Sequence, residues 1–153
     1  MKLKVFTDWW ARWNPGISGI GVYITDENNC CIEKRYKWLG IKTNNQAEYL
    51  GALHWIERAI ELEAKEIELY MDSQLVVNQL SGIFKIKNQE LAEIRLEIQK
   101  AINTWWWKIS FYHIPREKNK EADRLSNIAM DKFPHPNPLP EGEENKDNLK
   151  YNL

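Results

Sequence analysis

Four acids in this chain could do chemistry together. Asp8 follows the alternating run Leu3, Val5, Thr7, and Asp72 follows the alternating run Ile67, Leu69, Met71. Glu48 lies just behind Thr43-Asn44-Asn45, a helix-opening signature, and Asp123 lies in Asn119-Lys120-Glu121-Ala122-Asp123, directly after another strand-like run. Any one of them could be a helix cap or a residue that favours a helix dipole. Four converging carboxylates are a different matter, because like charges in proximity raise each other's pKa and resist joint ionisation. Divalent cations resolve that conflict. With no His or Cys cluster alongside, oxygen-loving Mg²⁺ or Mn²⁺ fits the donor set better than zinc. Two such ions about 3.5–4 Å apart activate a water and stabilise the leaving oxygen of a phosphodiester.

The elements around these acids follow from periodicity. Strands are expected over Lys2–Thr7, Ile17–Thr25 and Cys30–Leu39, with Asn14-Pro15-Gly16 and Asp26-Glu27-Asn28-Asn29 as turns. Tyr49, Ala52, Leu53, Ile56, Ala59 and Ile60 recur at helical spacing and predict an amphipathic helix of about four turns, with Glu48 on the border of its apolar stripe. A strand over Glu66–Met71 follows, then a short helix with Leu75, Val76 and Leu80 inward. A helix over Gln89–Thr104, a fifth strand over Trp107–Ile114 and a last helix over Lys120–Lys132 complete the order. Three hairpin-linked strands imply an antiparallel meander, and strands joined through helices imply parallel crossovers. The fold class is α/β, with a five-stranded mixed sheet flanked by helices. Strands one and four then lie side by side and bring Asp8 and Asp72 to neighbouring carboxyl ends, where such sheets bind ligands.

At 153 residues and net charge −1, the chain can bury one core and carries no basic excess that would announce a nucleic-acid partner. No signal peptide or membrane-length apolar run is visible, so the expectation is a cytoplasmic protein with no membrane partner, and by default a monomer. Cys30 and Cys31 are neighbours and cannot form an ordinary disulfide. Prolines alternate at 134, 136, 138 and 140 ahead of an acidic stretch, so residues 1–133 are expected to form the domain and 134–153 a disordered tail.

Five motifs, in order and in register from about residue 3 to 132, resemble ribonuclease H type 1, in a short form without the family's basic protrusion. They are Asp8, Asn14-Pro15-Gly16, Thr43-Asn44-Asn45-Gln46-Ala47-Glu48, Asp72-Ser73-Gln74 and Pro115-Arg116-Glu117-Lys118-Asn119 leading to Asp123. The resemblance implies a ribonuclease H fold and hydrolysis of the RNA strand of RNA–DNA hybrids by two metal ions, leaving 5′-phosphate and 3′-hydroxyl ends. It implies that Asp8, Glu48, Asp72 and Asp123 bind the ions, with Glu48 also positioning the water. Asn14, Asn44, Asn45 and Gln74 match minor-groove contacts and Thr43 a DNA-phosphate contact, with Gly16 and Asn119 expected on the substrate side. Amide partners suit the 2′-hydroxyl that tells RNA from DNA. Help for the leaving group is expected from Arg116 or from His113, ten residues before Asp123.

Two departures stand out. After Asp8 the family carries glycines and small residues, and here the stretch reads Trp9-Trp10-Ala11-Arg12-Trp13. Read as a loop, these indoles either stack on the substrate or block it, which raises the competing reading of an impaired hybrid-binding module. Only Ile83-Phe84-Lys85-Ile86-Lys87-Asn88 stands where some relatives carry a basic helical handle, so hybrid binding is expected to be weaker and salt-sensitive.

Overall fold

The computed structural model describes residues 1–11, 15–105 and 107–131, with the backbone of 142–143. Its strands are β1 (Lys2–Ala11), β2 (Gly16–Asp26), β3 (Cys31–Lys42), β4 (Glu66–Met71), β5 (Lys108–His113) and β6 (Gly142–Glu143). The helices are α1 (Asn44–Glu61), α2 (Gln74–Leu80), α3 (Gln89–Trp105) and α4 (Lys120–Asp131), with a 3-10 turn at Arg116–Lys118. The sheet order is β5-β4-β1-β2-β3-β6. β1, β2 and β3 form the expected antiparallel meander, while β4 pairs parallel to β1 and β5 parallel to β4. The five-strand arrangement is therefore as expected. The sixth strand is an addition, because Gly142 and Glu143 bridge Tyr36 and Arg35 of β3. Two residues of the supposed tail thus join the sheet border, and the rest of that stretch, 134–141 and 144–153, lies outside the described residues, as do 132 and 133.

Alternation along the strands sorts the two faces. Leu3, Val5, Ile20, Val22, Ile24, Ile67 and Leu69 are fully buried, in one core with Tyr49, Ala52, Trp55, Ile56 and Ala59 of α1. Helix α1 starts where it does because Thr43 and Gln46 form a reciprocal capping box. The Gln46 amide N–H donates to Thr43 Oγ1 at 3.1 Å, and the Thr43 N–H donates to Gln46 Oε1 at 2.9 Å. Its first turn carries no acid. Glu48 begins the second turn, so the dipole reading of this residue falls away. In α2 the inward residues are Val76, Val77 and Leu80, while Leu75 is exposed. Trp105 is core, and its indole donates to the Ala64 carbonyl at 2.6 Å. Trp107 is exposed beneath the Lys65 ammonium, and Trp106 lies outside the described residues.

Helix α4 covers the other face through two glycines. A Cβ built on Gly21 would stand 2.4 Å from the Ser126 nitrogen and 2.5 Å from the Ala122 carbonyl oxygen, so only hydrogen fits between β2 and α4 there. Gly19 meets Ala129 and Met130 in the same way. Beyond the N-terminal start of α4, the same face carries an aromatic row in strand register, Tyr23, Phe6, Tyr70 and Tyr112.

Candidate active site

β1 runs four residues past its expected end, so Asp8 sits inside the strand opposite Gly21 rather than at a strand terminus. That register turns its side chain to the α4 face, since directly paired antiparallel residues share a face. Asp72 follows the last residue of β4. Ser73 caps α2, with its hydroxyl oxygen accepting from the Val76 N–H at 3.3 Å, so Asp72 is released from any capping role. Glu48 reaches in from α1 and Asp123 from the first turn of α4. Four acids from four elements thus meet at one end of the sheet.

Their electrostatics report the meeting. Burial, then the neighbouring Asp72 and Asp123 carboxylates, pushes Asp8 up to about 8, against a hydrogen bond from the Trp9 N–H at 2.8 Å. Burial first, then Asp72 and Asp8, holds Glu48 well above the usual carboxylate range. Asp72 is raised by burial and by Asp123, and Arg116 and His113 oppose the rise. Glu48 Oε1 is buried with no hydrogen-bond partner. A buried carboxylate oxygen left in that state is costly unless something else meets it. The donor set is oxygen alone, which fits Mg²⁺ or Mn²⁺. Among the described residues no three His, Cys, Asp or Glu side chains already stand in ligating array, so cations would draw these acids together.

The raised Asp8 pKa has a consequence for stability. Between 3.8 and about 8 the folded state keeps a proton that the unfolded chain has released, so the metal-free protein loses stability as pH rises through that window. Asp8→Asn removes the penalty. At pH 7.5 in chelator it is expected to gain on the order of 1–3 kcal/mol, roughly 3–9 °C in melting temperature. A variant melting below the parent in chelator at that pH would contradict the electrostatic account.

Asp8, Trp9, Trp10, Ala11, Asp72 and Arg116 line a cleft of about 230 Å³. Arg116 therefore belongs to the cleft, on the 3-10 turn, whereas His113 ends β5 opposite Met71 and is exposed outside that lining. A larger groove of about 520 Å³ is lined by Pro15, Thr43, Asn44, Asn45, Gln46, Asn88, Glu90 and Leu91. Thr43 caps α1 here, and Asn88 Oδ1 caps α3 by accepting from the Leu91 N–H at 3.1 Å. Two helix N-termini facing one groove suit a phosphate. Asn88 escaped the sequence reading. Its signal was an Asn one residue ahead of the α3 periodicity, a cap position.

Gln74 is exposed at the start of α2 and donates to Asn78. Asn14 and Trp13 lie outside the described residues. Gly16 is buried at the start of β2, opposite Lys42. Asn119, expected to touch substrate, is instead 2% exposed, and its amide nitrogen donates to the Thr7 carbonyl at 2.9 Å. It straps β1 beside Asp8 to the turn that launches Asp123. Trp9 and Trp10 are also corrected, since both are strand residues, paired with Ile20 and Gly19. Trp9 packs on the core and Trp10 faces the cleft.

Comparison with known proteins decides the family. Residues 9–129 match the family described as "Reverse transcriptase-like". The crystal structure of RNase H1 from Halobacterium salinarum is 31% identical, with a TM-score of 0.82 over 86% of this chain and 98% of that one. The chain belongs to the type 1 ribonuclease H family. LC11-RNase H1, solved in complex with an RNA/DNA hybrid, is 38% identical and has a TM-score of 0.81, covering 85% of this chain and 97% of that chain. The "Bifunctional protein Rv2228c" of Mycobacterium tuberculosis is 36% identical over 86% of this chain, which spans only 36% of that relative's length. Among the described residues no helix is long and apolar enough to cross a membrane.

Proposed function

We propose that the protein hydrolyses the RNA strand of RNA–DNA hybrids, using two Mg²⁺ or Mn²⁺ ions held by Asp8, Glu48, Asp72 and Asp123. The observation that carries this reading is the convergence of four carboxylates around a buried, unpartnered Glu48 oxygen. When bound, the ions would activate a water and stabilise the leaving oxygen, so that 5′-phosphate and 3′-hydroxyl ends result. The protein's own share is placement. β1 and β4 hold Asp8 and Asp72 side by side, the Asn119 strap fixes Asp123 against them, and Glu48 orients the attacking water from the α1 side. Arg116, the one cation among the described residues that line the cleft, is set to neutralise charge building on the leaving oxygen and to accept a role that exposed His113 is less well placed to fill.

Substrate choice falls to the groove beside the cleft. Thr43 and Asn88, at two helix N-termini, address a phosphate of the DNA strand, while Asn44 and Asn45 address the minor groove and its 2′-hydroxyls, a role also given to Gln74. The competing reading, an impaired hybrid-binding module, draws on Trp10 in the cleft. The deciding experiment is cleavage of an end-labelled hybrid with Mg²⁺ or Mn²⁺, beside duplex RNA and duplex DNA. Metal-dependent cuts confined to the hybrid's RNA strand are expected. Hybrid binding without any cut would favour the impaired module.

A further inference from the structure

Among the described residues that line the catalytic cleft, Trp10 is a large apolar side chain that the chemistry leaves unassigned. Trp10 lies two residues beyond Asp8 on the same face of β1, about 6–7 Å further along the strand, close to the length of one nucleotide step. Opposite it stands Gly19, over which Ala129 and Met130 of α4 close. The remaining lining residues divide the work. Asp8, Asp72 and Arg116 address charge, Ala11 is small, and the Trp9 indole packs on the core. Among the described lining residues, Trp10 is left to offer a flat apolar face to whatever follows the scissile phosphate, beside a cleft of about 230 Å³.

Resting on the hybrid-nuclease reading above, we propose that Trp10 is a specificity-determining residue whose indole packs on the ribose next to the scissile phosphate. An A-like hybrid presents a wide, shallow minor groove with ribose edges and 2′-hydroxyls at its surface. A rigid indole standing off β1 meets that surface flat. B-form DNA presents a groove about 6 Å wide and 7.5 Å deep, whose walls hold the indole, and with it the backbone, away from the carboxylates. The same side chain therefore adds affinity for the hybrid and subtracts it for duplex DNA, so selectivity arises as a difference of two affinities.

The test compares the parent with Trp10→Ala and Trp10→Phe in steady-state cleavage of a labelled hybrid, with unlabelled duplex DNA as competitor and a thermal melt of each protein. Trp10→Ala is expected to raise KM about tenfold, the size of a lost stacking contact, with a smaller change in kcat. The inhibition constant of duplex DNA is itself expected to fall severalfold, so that its ratio to that KM falls by more than about tenfold. Trp10→Phe, which keeps a strand-compatible aromatic ring, is expected to recover most of both effects and carries the test should the alanine variant melt early. An unchanged or lowered KM in both variants, with the parent cutting the hybrid normally, overturns the role of Trp10 and leaves the nuclease reading intact. A parent that neither cuts nor binds the hybrid overturns both.

Discussion

Asp72→Asn lowers the rate of hybrid cleavage by at least about 10³-fold while the protein keeps its fold. The expectation follows from what surrounds the residue. Ser73 holds the cap of α2 and the Ile114 N–H donates to the Met71 carbonyl at 2.9 Å, so the backbone on either side of Asp72 is held by other groups. An amide matches the carboxylate in size but offers a hard cation a weaker, neutral oxygen. Burial and the Asp123 charge already raise Asp72 against the pull of Arg116, so losing its charge costs the metal-free fold nothing. The check pairs single-turnover cleavage with a thermal melt in chelator. A variant that melts with the parent and still cuts within tenfold of its rate would remove Asp72 from the chemistry.

Gly21→Ala is expected to cost about 3 kcal/mol or more and to remove most of the activity of the molecules that remain folded. The added methyl would stand 2.4, 2.5 and 2.7 Å from Ser126 N, Ala122 O and Leu125 Cβ, two of which are main-chain atoms of α4. Rotamer changes cannot relieve such contacts, so the helix itself must retreat and take Asp123 away from Asp8. Gly51→Ala is the matched control. Its added methyl would meet Ile20 and Thr7 at 3.3 and 3.4 Å, both side-chain atoms, and helix propensity gives back roughly 0.5–1 kcal/mol. Denaturant melts should therefore separate the two variants by several kcal/mol. Equal stabilities would mean that α4 does not rest on β2 as described.

Much of the fold was legible because period-two and helical patterns are local. β4 was read to the residue, and Tyr49, Ala52, Ile56 and Ala59 face inward as their spacing required. The places where the reading failed share a cause. Trp9 and Trp10 were taken for a loop because the resembling family carries glycines there, yet Trp favours strands and both residues find partners on β2. Asn119 reads locally as a polar turn residue. Its burial depends on the Thr7 carbonyl 112 positions away, which no local pattern announces. Glu48 was read correctly as pointing along the packed face, but its lack of any partner is a property of the assembled site. Likewise β6 arises from a Pro-rich, acidic stretch with no strand signature, and only the open border of β3 gives it a place.

That border has a consequence for how the molecule behaves in company. β3 is twelve residues long, and among the described residues only Arg35 and Tyr36 are bridged on its outer side. A strand of that length with Ile32 and Ile41 exposed is a template for another copy of itself. What stands against such pairing is charge, since Lys34, Arg35, Lys37 and Lys42 outnumber Glu33 along the strand and two copies brought edge to edge would oppose cation to cation. Repulsion of this kind is strong in dilute buffer and shrinks to a range of about 3 Å near 1 M salt. High salt removes the repulsion that keeps two such borders apart, so pairing between copies is expected to rise with ionic strength.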